Sequence, residues 1–385
     1  MSERLNKSKK SVFSEMFVKG KMDLTFFTLL LLLVTVGLIM LFSASYVYAD
    51  VYKNNSYHFI MKQGFFAIIG IALMLFVSHL NYKFIRKFAV IFYLIMVAFL
   101  LIMLLMPPMM KGTDVKRWFA IGSFSFQPSE LGKFAVILML AHLIAANQKL
   151  MKTFKFGVIA LGAVGAVICI LVGAEPHISA AILIFLITIA MMTVGGMKLI
   201  YLLIPAGAVA AGVCVLFSGV IGYAKDRLDY WLNPWASASD KGYQTIQSLL
   251  SVGSGGWLGR GLGQSRQKYL WVPEPHNDFI FAIVCEELGI IGAMLIIILF
   301  CLFIWRGFLI AMKAPDKFSS LLAFGLIFQI SIQVALNILV VTNTIPNTGI
   351  SLPFFSYGGT SLVILLVEMG IVLGISRASN TTKTV

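Results

Sequence analysis

Charge is what this 385-residue chain has least of. Its 16 acids and 30 Lys+Arg are set in a sequence that is 59% hydrophobic, with a mean hydropathy of +0.92. A soluble domain of this length cannot hide so much apolar surface, which excludes soluble enzymes and soluble binding modules. Cysteine is scarce too. Cys169, Cys214, Cys285 and Cys301 lie in apolar runs without paired or metal-ligand spacing and read as buried free thiols. No glycine-rich stretch has Walker or dinucleotide-loop spacing, which excludes a nucleotide site of those kinds. There is no internal repeat and no low-complexity tract. The basic residues form no long patch interleaved with exposed aromatics. The net charge of +14 therefore points to anionic lipid and membrane topology, not nucleic acid.

What is present is a series of apolar runs, near residues 24–44, 59–78, 88–106, 130–147, 156–174, 178–197, 199–220, 279–305, 318–341 and 361–376. They predict an all-α polytopic membrane protein of about ten transmembrane helices. The first run resembles a signal peptide, with small residues at Ser43-Ala44-Ser45, but is long enough to span and reads as an uncleaved anchor. An even count puts both termini on one side. With that side cytoplasmic, the inner segments hold 18 of the 30 Lys+Arg, from Arg4, Lys7 and Lys9 through Lys83, Arg86 and Lys149 to Arg306, Arg377 and Lys383. Nearly all of the other 12 lie near the outer motifs, against the usual bias, and an anionic headgroup supplies a reason. The expected organisation is a basic tail over 1–23, one membrane domain over 24–376 and a second tail over 377–385. A large outer loop over 221–277 joins helices seven and eight. That loop is rich in Gly, Trp and Tyr, and its aromatic content argues against disorder.

The most informative stretch is Trp271-Val272-Pro273-Glu274-Pro275-His276-Asn277-Asp278-Phe279-Ile280-Phe281, where a polar run meets an apolar segment that carries Glu286 and Glu287. Ionisable groups at a membrane boundary are costly, and so are functional candidates. The bland reading of Asp278 is an N-cap for the helix that follows. That of Glu287 is a hydrogen-bonding role inside the bundle, which is favoured.

Four further motifs stand beside bland readings. Lys116-Arg117-Trp118 precedes Gln127-Pro128-Ser129-Glu130-Leu131-Gly132-Lys133. A capped helix start explains Pro128 and Ser129. It leaves unexplained Glu130 and Lys133, three residues apart on one helix face, where an ion pair or substrate contact is expected. Glu175-Pro176-His177 is either a tight outer turn or a substrate-facing loop. In Gly242–Ser265 most glycines read as loop. Arg260, with Arg266 and Lys268 just beyond, are the better phosphate contacts. In Leu352–Ser361, Gly358-Gly359 before an apolar helix would suit an anion-binding helix start, or else a turn that packs.

These segments, Lys116–Lys133, Gly242–Ser265, Pro273–Gly289 and Leu352–Ser361, resemble in order and spacing the SEDS family (shape, elongation, division, sporulation) of bacterial cell-wall synthases. Within it the chain is most similar to the FtsW and SpoVE branch, with RodA the near alternative. The resemblance implies a peptidoglycan glycosyltransferase in the bacterial cytoplasmic membrane that polymerises lipid II on the outer face. It places the family's essential aspartate on Asp278. It also implies a class B penicillin-binding protein as transpeptidase partner, since the chain shows no Ser-x-x-Lys nucleophile in an outer domain. Other divisome proteins are further partners. Lys116, Arg117, Glu130, Lys133, Gln247, Arg260, Arg266, His276, Ser356 and Gly358 become candidate substrate contacts. The family often has Gln-Pro-Asp after span five, where this chain has Glu175-Pro176-His177, so the acid has moved two residues or been lost.

The chemistry suits such residues. A carboxylate takes the proton of the attacking sugar hydroxyl, and fixed cations or N–H groups receive the charge on the departing pyrophosphate. A divalent cation, Mg2+ or Mn2+, is a further expectation, although no classical metal cluster is present. The rival reading is a lipid flippase, which acids inside spans would also suit. Against it, the polar residues gather on one face.

Overall fold

A computed structural model of the chain describes residues 17–18, 20–106, 119–121, 124–175, 177–207, 230–238 and 242–382. The apolar runs become helices because backbone N–H and C=O groups in lipid must be satisfied within the segment. In chain order these are α1 (Leu24–Lys53), α2 (His58–Val77), the short α3 (Tyr82–Lys87) and α4 (Ala89–Leu105). A β1–β2 hairpin (Phe119–Ile121, Phe124–Phe126) follows, then α5 (Pro128–Ala146), α6 (Leu161–Ala174) and α7 (Ile178–Gly195). The last four are α8 (Tyr243–Ser254), α9 (Ile280–Met312), α10 (Lys317–Val341) and α11 (Gly359–Thr382).

Among the described residues, eight helices are long and apolar enough to cross a membrane, and α4 is a shorter apolar helix. They correspond to nine of the ten expected runs. Most of the remaining run, 199–220, lies outside the described residues. The protein is thus a multi-pass, essentially all-helical membrane protein. The side chain of Asp23 caps α1 at Phe26 N, and Asp316 forms a capping box with Ser319 at the start of α10.

α10 sits at the centre, packed against α5, α7, α9 and α11, while α11 lies along α2, and α9 also packs on α1. More than half of the apolar window of each of α5, α10 and α11 is buried, against 22% in α2 and 28% in α9. Close approach needs small residues here. A Cβ at Gly359 would meet the Phe66 ring at 2.1 Å, and one at Gly325 would meet Ile137 at 2.6 Å.

α9 departs from the expected span in length and shape. Its 33 residues are broken at Gly289 (φ 67, ψ −171). At about 1.5 Å per residue the whole is near 50 Å, longer than a bilayer core of ~30 Å. Ile280–Glu287 are buried on all sides, and exposed apolar side chains begin at Ile290 and Ile291. The segment after Asp278 is therefore enclosed by protein, and the lipid-facing part of α9 starts only beyond the break.

Candidate active site

Asp278 stands just ahead of α9, whose N-cap is Phe279 and carries no side-chain cap. The reading of Asp278 as the cap is corrected accordingly. The backbone on either side of Asp278 is held from three directions. Asn337 Nδ2, on α10, donates to Asp278 O at 2.8 Å and to Ile350 O at 2.7 Å. Ser356 Oγ donates to Asn277 O at 2.9 Å and accepts from Leu352 N at 2.8 Å. Tyr357 N donates to His276 O at 2.8 Å. The Asn343–Tyr357 loop thereby forms the opposite wall. Gly349 (φ +69) faces Asp278, and a Cβ there would come within 3.3 Å of Asp278 Oδ2. Asp278 remains partly accessible on this fixed backbone.

His276 is 3% exposed and packs among Phe59, Tyr48 and Tyr357, with ring centroids 4.2, 4.9 and 5.9 Å away. Burial pushes its pKa down to about 4, so it is neutral at physiological pH. It serves the loop as a packing group and holds no charge for a phosphate. Ser356 likewise is spent on the backbone. Gly358 N donates to Gln63 Oε1 at 3.1 Å, and the Phe66 ring occupies the space beside Gly359. The Gly358 N–H is therefore taken by Gln63 and the space beside Gly359 is filled by Phe66, which corrects the reading of these two glycines as an open anion-binding pair.

Below Asp278, Glu286 and Glu287 stitch the glycine-rich loop to the break in α9. Arg260 N and Gly261 N donate to the carbonyls of Glu286 and Glu287, and Ile290 N and Ile291 N donate to those of Gly256 and Trp257. The contact is backbone on backbone. A Cβ at Gly259 (φ +77) would lie 2.2 Å from Glu287 O, and one at Gly289 would lie 2.3 Å from Gly259 N. Only glycine fits both positions. The Glu286 carboxylate accepts from Ser265 Oγ at 2.5 Å, Arg266 N at 3.0 Å and Gln267 N at 3.3 Å. Glu287 accepts from both Ser43 Oγ (2.6 Å) and Lys268 Nζ (2.9 Å). Ser265-Arg266-Gln267-Lys268 has Ser-x-x-Lys spacing, but Ser265 and Lys268 are both fully buried and committed to these acids. They present no nucleophile.

Of the basic candidates, Arg260 and Arg266 are exposed. Arg260 Nε lies 3.4 Å from Glu286 Oε1, which orients its side chain. Lys268 instead is an internal ion-pair partner. Lys116 and Arg117 lie outside the described residues. Gln247 is 8% exposed on α8; the neighbouring Gln244 takes the contact to the opposite loop, accepting from Asn347 Nδ2 at 3.2 Å. Among the described residues no three His, Cys, Asp or Glu side chains converge as a metal site would require.

The Glu130–Lys133 pair forms inside the bundle, with Lys133 Nζ 2.9 Å from Glu130 Oε1. The ammonium lies off the direction of a hydrogen bond, so the contact is an ion pair and Nζ keeps unmet donor capacity. Ser129 is not the cap of α5; Gln127 precedes Pro128 at the helix start, and Ser129 Oγ lies 3.2 Å from His177 Nδ1. Glu175 is fully buried with both oxygens unpartnered, and burial pushes its carboxyl up to about 7. Ser179 Oγ donates to Thr348 O, which ties this loop to the wall opposite Asp278.

Sequence reasoning missed Glu368 and Asn337. Glu368, on α11, is 2% exposed, accepts from Gln329 Nε2 at 3.1 Å and feels both Lys133 and Glu130. An acid in the middle of the last span was a signal in itself. Asn337 carried no such signal.

A cell cycle protein family model, that of FtsW, RodA and SpoVE, matches residues 23–381. The chain belongs to this family. Stage V sporulation protein E of Bacillus subtilis is 42% identical over 369 residues, covering 94% of this chain and 98% of that protein. A probable peptidoglycan glycosyltransferase FtsW of Geobacter sulfurreducens is 35% identical, over 92% and 95% of the two chains. Among solved structures, a chain from a study of polymerization and crosslinking by a peptidoglycan synthase complex superposes with TM-score 0.78 at 24% identity. It covers 93% of this chain and 98% of that one. Rod shape determining protein RodA of Thermus thermophilus gives 0.69 at 23% identity, over 92% and 97%. These two likenesses establish the fold; the relatives of higher identity establish the FtsW and SpoVE side of the family.

Proposed function

We infer that this chain is a peptidoglycan glycosyltransferase of the bacterial cytoplasmic membrane, and propose that it polymerises lipid II on the outer face with Asp278 as general base. The observation that carries the reading is Asp278, a partly accessible acid on a fixed backbone. The backbone over His276–Asp278 is clamped by Asn337, Ser356 and Tyr357, in a chain of this family. The acceptor hydroxyl of one disaccharide gives its proton to the Asp278 carboxylate as its oxygen attacks the anomeric carbon of the donor glycan. The anomeric bond to undecaprenyl pyrophosphate breaks, and the negative charge that leaves is met by Arg260 and Arg266, with Lys116 and Arg117 as further cations. A preorganised backbone matters because proton transfer needs about 2.6–3.2 Å between heavy atoms.

The outer face assigned to Asp278, with both termini cytoplasmic, follows from the distribution of basic residues. A class B penicillin-binding protein supplies the transpeptidase, since Ser265 and Lys268 are locked inside. The names of the relatives favour septal or sporulation synthesis over elongation. The test is purified protein, with and without that partner, given lipid II and assayed for glycan chains. Polymer formation is the expected result. Translocation of lipid II across vesicles without polymer would replace this reading with the flippase.

A further inference from the structure

α10 carries three buried amides at spacing i, i+4, i+8: Gln329 (0% exposed), Gln333 (4%) and Asn337 (0%). They share one helix face and span about 12 Å along the axis. The upper end is Asn337, whose amide holds the carbonyls of Asp278 and Ile350. The lower end is Gln329, which donates to Glu368, and Glu368 lies within electrostatic reach of the Lys133–Glu130 pair. Along this seam Gln329 Oε1, Gln333 Oε1, Asn337 Oδ1 and Glu368 Oε1 are buried without a partner, as is Lys133 Nζ for hydrogen bonding. Placing such atoms against hydrocarbon costs about 1–3 kcal/mol each, and a polar seam that admits water relieves the cost. All three amides project from the same side, so any rotation of α10 drives them together into apolar neighbours. Buried polar groups of this kind fix register.

We propose that α10 is a positioning element of the active site: Asn337 fixes the backbone of Asp278, and the Gln329–Gln333 face makes that fix depend on the buried Glu130–Lys133–Glu368 cluster. The positioning role rests on the reading of Asp278 as general base. Glu368, Lys133 and Asn337 then act on the reaction through Asp278, without touching the reacting atoms.

The experiment measures hydrogen–deuterium exchange over residues 272–280 together with steady-state lipid II polymerisation, for wild type, Asn337→Asp, Glu368→Gln and the double variant. Asn337→Asp keeps shape and removes both donated bonds. Each single variant is expected to raise exchange over 272–280 at least tenfold and to lower kcat about tenfold, with KM within twofold. The double should be no worse than the more damaging single, because both act on one element. Unchanged exchange over 272–280 in Glu368→Gln, additive losses, or a rise in KM at constant kcat would overturn the proposal. If these variants do not fold, Gln333→Met replaces one mid-seam amide by an apolar chain of similar length. Raised exchange at 272–280 supports the coupling, and wild-type exchange rejects it. Wild type that makes no polymer but shows coupled exchange would refute the activity and leave the coupling of α10 to this loop standing.

Discussion

Replacing Lys268 by Met removes a charge from a fully buried site. Lys268 and Glu287 have fully buried side chains, their charged atoms are 2.9 Å apart, and the ammonium also lies 4.7 Å from the centroid of the Tyr46 ring. Lys268→Met leaves Glu287 with hydrogen bonds from Ser43 and Ser265 but no countercharge. A buried pair broken on one side costs about 3–5 kcal/mol. Glu287→Gln strands the ammonium and should cost a similar amount. The double variant leaves neutral groups of similar volume and should recover most of the loss, since replacing both partners is often close to neutral. At roughly 2.1 cal/mol/K of unfolding entropy per residue, 3–5 kcal/mol lowers the melting temperature of a chain this long by about 4–6 °C. Thermal unfolding of purified protein in detergent, for wild type, both singles and the double, measures this directly. Singles that each lose under about 1 °C, or a double equal to their sum, would refute the claim that this pair holds the loop after the glycine-rich segment to α9.

Three more outcomes follow from the same geometry. Glu130→Gln and Lys133→Met should each impair polymerisation, and the double should cost less than the sum of the singles; strictly additive losses would mean the two side chains do not interact. Gly259→Ala brings a Cβ to within 2.2 Å of Glu287 O and should cost several kcal/mol of stability and most activity. A wild-type melting temperature in that variant would show that the loop is not docked on the break in α9. For Glu175, the pKa raised to about 7 means the folded protein keeps a proton that the unfolded chain has lost between about pH 4.5 and 7. Stability from this group is therefore full below about 4.5 and is lost as pH rises to 7. Glu175→Gln should flatten that slope in thermal melts taken from pH 5 to 7.5, and an unchanged slope would assign it to another group.

Much of this architecture is legible in the sequence because lipid imposes a simple rule. Apolar runs long enough to span must be helices, and runs such as 130–147 and 318–341 became α5 and α10 within a few residues. Glu130 and Lys133 could be paired from spacing alone, because i and i+3 share a helix face. The break at Gly289 could not be read. Its cause is a backbone contact with Gly259 and Trp257, some thirty residues earlier, and no local pattern encodes that meeting. The same holds for Lys268, which looks like a phosphate contact in a basic loop until Glu287 is found beside it. The Gly358-Gly359 start looked open to an anion because its blockers, Gln63 and Phe66, come from a helix nearly three hundred residues away in the chain. Asn337 was invisible for a related reason: a lone amide in an apolar run acquires meaning only from the two carbonyls it joins.

The measurement that tests the central claim most directly is the rate of lipid II polymerisation by Asp278→Asn, set beside its melting temperature and its binding of the transpeptidase partner. Asparagine keeps the shape and removes the basicity. Folded, partner-bound protein whose polymerisation falls at least a hundredfold, the lower range of general-base contributions, is the expected result. The same protein making glycan at near the wild-type rate would contradict it.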